Sequence, residues 1–435
     1  MDTVPLRALP TADLAAARGA ASAFARHGHV LAAFEALHDA LGDVFRLPLP
    51  GFDGVVLVGP EANRFLLVDA RDSFRWRAEG DPVTRLLRQG VLVTDGALHD
   101  EFREMMTPAL HRRVFDSFIA SMNRSADRVI SDWRDGTRVD LLTEMRRVAL
   151  LVLVETLFRD DFGPRMTRLW PAVLRTIRYI SPGPWLVWPG VPRLGYARAV
   201  RRLDGYFHGL IARRRARAGG GDDLVGALID AGLSDEVIRD QLLTLFIAGH
   251  DTSTASLAWT FYTLATHPDA LARAREEVDA VLGDGAPTAA HLRPLRYLEC
   301  VIKETARLYP PIHLGSRIAA VDIEYQGYRI PAGTRVVYSI YLTHRDRRHW
   351  PEPERFDPDR FAPESHEPRI AYSYLPFGGG PRNCLGAAFA QVEAKVVVAR
   401  ILQRYDVRFV GGRVRPRMRA TLEPNPGVLV EVRKR

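Results

Sequence analysis

"PFGGGPRNCLG", residues 376–386, decides how this chain is read, because it places one of only two cysteines in a loop of glycines. Three glycines precede Cys384 and a fourth follows two positions later. A structural thiol is normally packed among apolar side chains. This one is presented to something. A catalytic nucleophile calls for a neighbouring base, and a zinc or iron–sulfur site calls for further cysteines. Cys300 is the other cysteine, so neither a disulfide framework nor a four-ligand zinc site can be built.

Working outward, the rest of the chain is ordinary globular text: 47% apolar and 26% charged residues give ample material for a core. The net charge of +8 is carried almost wholly by arginine, interleaved with acids. That pattern argues against nucleic acid and leaves room for a basic face toward an acidic partner. Scarce cysteine fits a reducing, cytoplasmic setting. The first residues lack a cationic leader followed by an apolar run, so no signal peptide is expected. The stretch "QLLTLFIAGHDTSTASLAWTFYTLATHP" (241–268) has the length of a membrane span but carries His250 and Asp251 at its middle. An aspartate at a bilayer centre costs about 2.5–3.5 kcal/mol on insertion scales, so a buried helix is the better reading and no transmembrane anchor is expected.

The pattern predicts a mainly α fold with a smaller β portion. "FRLPLPGFDGVVLVGP" (45–60) reads as a hairpin, residues 99 to 310 read as helices, and strands return from 317. A helix follows the cysteine loop, "AAFAQVEAKVVVARILQRY", and then come C-terminal strands. No Gly/Ser linker divides the text, which predicts one domain over residues 1–435 with no separate reductase domain.

A lone thiolate suits one task well, that of single protein ligand to a haem iron. Glycines 378, 379 and 380 would let the backbone approach a flat macrocycle, and the helix starting after Cys384 would stabilise a thiolate. Arg382 could reach a propionate. Phe377, Gly380, Arg382, Cys384 and Gly386 together resemble the Phe-x-x-Gly-x-Arg-x-Cys-x-Gly signature of the cytochrome P450 superfamily. The resemblance implies the P450 fold, with haem b between a long central helix and the helix after the Cys loop. In it Phe377 shields the sulfur and Gly386 lets that helix pack closely on the haem.

Further motifs follow in the order the resemblance requires. "AGHDTS" (248–253) is similar to the family's oxygen-activation motif. Gly249 would open space over the iron, the Thr252 hydroxyl would bond the Ala248 carbonyl, and Asp251 with Thr252 would relay protons. "KETARL" (303–308) supplies a Glu304–Arg307 pair, and the segment "PEPERFDPDRF" (351–361) offers Arg355 to complete a buried network. His99 and Arg103 lie four apart on one helical face and, with Arg317, are implied propionate contacts. Arg347 stands where the family usually has proline, and Cys300 reads as a packed core residue.

What the resemblance implies is an O₂-dependent monooxygenase acting on a lipophilic small molecule, by hydroxylation or epoxidation. Electrons would come from NAD(P)H through a separate acidic ferredoxin or flavodoxin with its reductase. Arg112, Arg113, Arg345, Arg347 and Arg348 are candidates for a basic docking face. A peroxide-using relative typically lacks an acid–alcohol pair, and a haem sensor or ligand-binding protein has no use for one; these remain the alternatives. Leu243, Ile247, Ile312, His313, Leu314 and Trp185 are the candidate substrate contacts, with the Trp185 and Trp188 stretch (181–196) as a lid.

Overall fold

The structure, a computed structural model, describes residues 7–49, 52–76, 78, 80–110, 115–182, 194–217, 223–365 and 369–435. The longer helices are α1 (Leu14–His27), α2 (Val30–Leu41), α3 (Gly96–Met106), α4 (Phe115–Ile130), α5 (Leu141–Leu157) and α6 (Gly163–Ile180). They continue as α7 (Tyr196–Arg215), α8 (Asp235–Thr266), α9 (Pro268–Leu282), α10 (Arg296–Leu308) and α11 (Ala387–Arg404).

Helix α8 is the axis of this body. Ser234 caps it by accepting from the Val237 N–H, and Asp235 and Glu236 complement its positive end. Its buried residues run round the whole circumference, which only a helix inside the protein can satisfy. It packs against α5, α7, α10 and α11. Helix α5, "LLTEMRRVALLVLVETL", is buried along nearly its full length against it.

The strands form small separate sheets, of which the one at the C-terminus shares the helical core. β1 (Val44–Leu49) and β2 (Phe52–Leu57) make the expected hairpin, with Val44 opposite Leu57. With β3 (Phe74–Arg75), β5 (Leu314–Ala319) and β8 (Arg335–Ser339) they build a sheet of order β1-β2-β8-β5-β3. Between these, β4 (Arg138–Asp140) joins β12 (Leu429–Lys434) and β9 (Tyr405–Phe409) in a three-stranded sheet. β6 (Ile323–Tyr325) pairs with β7 (Tyr328–Ile330), and β10 (Arg415–Met418) with β11 (Leu422–Asn425). The β10–β11 tip is tied to the end of α6, since Ala420 N–H donates to Ser181 Oγ at 3.0 Å.

The mainly helical fold with small sheets is as the pattern predicted. The two opening helices were not anticipated, although their caps are legible: Asp13 accepts from Ala16 N–H at 2.8 Å, and Gly28 ends α1 at φ +73°.

Candidate functional site

The cysteine loop is a tight, backbone-bonded turn. Cys384 N–H donates to Phe377 O at 2.8 Å and Asn383 N–H to Gly380 O at 3.0 Å. Gly378 and Gly380 adopt φ +70° and +65°, a region that disfavours side chains. At Gly380 a Cβ would also sit 2.3 Å from the Leu67 carbonyl oxygen, so this position tolerates no side chain. At Gly386 an added Cβ would meet nothing within 4 Å. That glycine faces room for a flat group beside the helix start. Cys384 is exposed by area, yet the surface it exposes opens into an interior cavity. Burial pushes its thiol up, opposed by the Gly386 N–H. A cation at the sulfur would favour the thiolate.

A rigid lattice supports the loop. Arg307 makes a bidentate pair with Glu304 at 2.7 and 2.8 Å, both fully buried. Its remaining donors go to the carbonyls of His344, Pro353 and Arg355. Glu304 also accepts from Asp357 N–H at 3.0 Å. The second arginine on Glu304 is Arg360, buried, with Nε 3.5 Å from Oε1. This corrects the assignment of Arg355, whose exposed side chain pairs with Glu352 and which contributes only its carbonyl. Arg360 lies two residues past Pro358, and the spacing of the "FDPDRF" half of the segment was the signal available. His344, which the sequence reading missed, bridges the lattice to the loop. It accepts from Leu375 N–H at 2.8 Å at Nε2, and its Nδ1 lies 3.2 Å from Arg307 O. Burial, aided by Arg307, pushes it down to about 3, so it stays neutral and can accept.

Around the loop stands a cationic cluster. Arg103 donates to Asn383 O at 2.8 Å and Asn383 Oδ1 at 3.0 Å. Arg382 donates to Asp95 at 2.6 Å, and burial lowers it to about 10. Arg317 lies 3.9 Å from the Trp76 ring centre, and Arg382 5.0 Å. His99 is buried, with Nδ1 2.8 Å from Asp100. Trp76 is a further member not foreseen; its indole Nε1 is buried without a partner among the described residues. Cationic side chains beside an orphaned N–H fit the carboxylates of a bound haem.

Across the cavity, the Thr252 hydroxyl donates to Ala248 O at 2.8 Å, as expected. Asp251 turns toward α5 and the β10–β11 hairpin: Oδ1 lies 3.2 Å from Arg146 Nη2, and Oδ2 accepts from Thr421 Oγ1 at 3.0 Å. The same Arg146 nitrogen contacts Glu423, whose other oxygen is 3.4 Å from Arg419. Burial raises Asp251 despite Arg146. Gly249 also lines the cavity, and a Cβ there would lie 2.7 Å from Leu153 Cδ1. Its missing side chain admits Leu153 of α5. Glu393, on the helix after the cysteine loop, is also buried at this cavity and accepts from Ser253 Oγ at 2.6 Å. Burial pushes it up to about 8.

The cavity, about 1390 Å³, is lined by Cys384, Ala248, Thr252 and the cationic cluster together with apolar residues. Ile247, Ile312, His313 and Leu314 line it as predicted. Leu243 does not: it is fully buried in the helical core, and Thr244 beside it takes the cavity-facing position. Trp185 and Trp188 lie outside the described residues. Val30, Phe34 and Leu47 extend the wall, which no motif announced. Burial lowers His313 to about 4, so it faces the cavity uncharged. Of the proposed docking arginines, Arg112 and Arg113 lie outside the described residues. Arg345 is buried, stacked 3.8 Å over Tyr341, and cannot serve a surface; Arg348 is held by Asp43 and Asp346, while Arg347 is exposed.

This arrangement of loop, lattice and long helix has counterparts. The cytochrome P450 family model matches residues 14–431. The protein called cytochrome P450 139 in Mycobacterium tuberculosis is 33% identical over 424 residues, covering 92% of this chain and 96% of its own. Cyclooctatin synthase of Streptomyces melanosporofaciens is 31% identical, covering 89% and 88%. Among solved structures, retinoic acid-bound cyanobacterial CYP120A1 superposes with a TM-score of 0.82 at 28% identity, covering 92% of this chain and 93% of that one. The cytochrome P450DA haem domain reaches 0.87 at 26%, covering 99% and 98%. The chain therefore belongs to the cytochrome P450 family. It is a haem-thiolate monooxygenase, an oxidoreductase of the class that holds haem iron through cysteine. No helix among the described residues is long and apolar enough to cross a membrane.

Proposed function

We propose that residues 1–435 act as one domain that hydroxylates or epoxidises a lipophilic small molecule, with haem b bound through Cys384. The observation that carries this reading is one cavity lined by both the glycine-cradled cysteine and the Thr252 side chain. Bound haem would supply the activation of O₂. Arg103, Arg317, Arg382 and His99 would hold its carboxylates, Phe377 would shield the sulfur, and Gly380 and Gly386 would admit the loop and ring. Glu304, Arg307 and Arg360 would keep the loop at its distance. Asp251 and Thr252 would hand protons to the cavity. The overall balance takes one O₂, two electrons and two protons per substrate, placing one oxygen in the product and releasing the other as water.

Electrons would come from NAD(P)H through a separate acidic ferredoxin or flavodoxin with its reductase, in the cytoplasm. The net positive charge and exposed Arg347 support this, and added salt should slow reduction if docking is electrostatic. The apolar walls and neutral His313 favour a terpenoid, fatty acid, steroid or polyketide, in keeping with secondary metabolism. Retinoic acid in CYP120A1 and the name cyclooctatin synthase lend support to lipophilic substrates of this kind.

The test is a titration of the purified ferric protein with terpenes, fatty acids, steroids and macrolactones, followed at the haem absorption band. A saturable spin-state shift confined to one class is the expected result. A protein whose spectrum lacks thiolate-bound haem would overturn the assignment of Cys384.

A further inference from the structure

The hairpin that walls the cavity is wired to the acid on the long helix. Thr421 is 2% exposed, lines the cavity and donates to Asp251 Oδ2 at 3.0 Å. Two residues on, Glu423 shares the Arg146 Nη2 atom with Asp251 Oδ1. Arg146 comes from α5, its Nε is buried without a partner among the described residues, and one of its guanidinium nitrogens serves two buried carboxylates. Arg419, also at the cavity, lies 3.4 Å from the far oxygen of Glu423. Both carboxylate oxygens of Asp251 are therefore held by a group that belongs to the hairpin or is shared with it.

A buried carboxylate keeps the orientation its partners impose, because losing one partner leaves an unsatisfied oxygen in a low-dielectric site. Oδ1 can turn from Arg146 only as Glu423 takes that nitrogen over, and Oδ2 can turn only as Thr421 releases it. A ligand seated against residues 418–421 pushes on the element that carries both controls.

We propose that Thr421 and Glu423 are positioning residues for Asp251, so that ligand contact at the β10–β11 tip sets the rate of proton delivery to the cavity. The proposal rests on the monooxygenase reading above.

The experiment compares two routes in the holoenzyme and in Thr421→Val, Thr421→Ser and Glu423→Gln. In the first, NAD(P)H, a plant-type ferredoxin and its reductase reduce O₂. Each turnover consumes two electrons and two protons, and the rate is read in H₂O and D₂O. In the second, cumene hydroperoxide oxidises guaiacol; the peroxide brings its oxygen already reduced, so proton delivery by Asp251 is bypassed. Thr421→Val should slow the NAD(P)H route about tenfold, a fraction of what a positioned acid contributes, and enlarge its D₂O effect. The peroxide route should stay within about twofold, and Thr421→Ser should restore the first. Glu423→Gln, which removes the charge that competes with Asp251 for Arg146 while keeping an acceptor oxygen, should also slow only the NAD(P)H route. Equal losses in both routes, or an unchanged rate and D₂O effect, would overturn the proposal. Wild-type protein with no thiolate-haem spectrum and no guaiacol oxidation would instead overturn the reading beneath it.

Discussion

The two sides of the cavity solve the burial of charge in opposite ways. On the cysteine side, Glu304 and Arg307 lie on one turn of α10, make a bidentate pair, and pass every remaining contact to backbone groups or to Arg360. On the long-helix side, Asp251 and Glu423 come from elements far apart in sequence and share one arginine from a third. The first is over-determined and should be rigid. The second has two carboxylates on one guanidinium nitrogen, with Glu423 the nearer and Asp251 at 3.2 Å, an arrangement that lets one partner take over as the other turns away.

The largest effect expected from this contrast is on Glu304. Glu304→Ala strands a buried arginine, a change of about 3–5 kcal/mol, and should yield protein that does not retain haem. A normal haem-to-protein ratio in that variant would break the comparison. Arginine substitutions sharpen it. Arg360→Ala should lower stability by about 1–3 kcal/mol through the loss of a buried partner of Glu304, whereas exposed Arg355→Ala should stay within about 0.5 kcal/mol. Thermal unfolding of the two holoproteins side by side reads the difference, and equal losses would restore Arg355 to the network.

The most gradual effect concerns pH. Glu393 is raised to about 8 in the fold from an ordinary 4.5, so folding takes up a proton between those values. Its contribution to stability is full below pH 4.5 and lost as pH rises through 8. Glu393→Gln should flatten that decline by about 1.4 kcal/mol per pH unit at most. His344 acts with the opposite sign: lowered to about 3, it favours the fold above pH 6.5 and costs stability as pH falls toward 3. Melting temperatures from pH 4 to 9 separate the two slopes, and an unchanged decline between pH 6.5 and 8 in Glu393→Gln would show that this carboxyl is not the group responsible.

The cysteine side was largely legible in sequence, and the residues say why. Cys384 with its glycines and Glu304 with Arg307 each sit within one loop or helical turn, where spacing alone brings them together. The motif fails where two arginines fall in one Pro-rich segment: Arg355 and Arg360 are alike in composition, and only the turns between them decide which faces inward. Leu243 fails for a related reason, since a helix buried on all sides carries no apolar stripe to mark the cavity.

The sequence by itself determined the mainly helical class, the single cysteine presented by glycines, the acid–alcohol pair and the α10 ion pair, because local spacing enforces each of them. Tertiary structure decided that Leu153 fills the space beside Gly249, that His344 ties the lattice to the loop, that Trp76 joins the cationic cluster, and that the Asp251 carboxylate answers to a hairpin 170 residues away. Those partners are joined by packing between distant elements, and the cost of leaving a buried polar group unpaired selects them only once the chain has closed around the cavity.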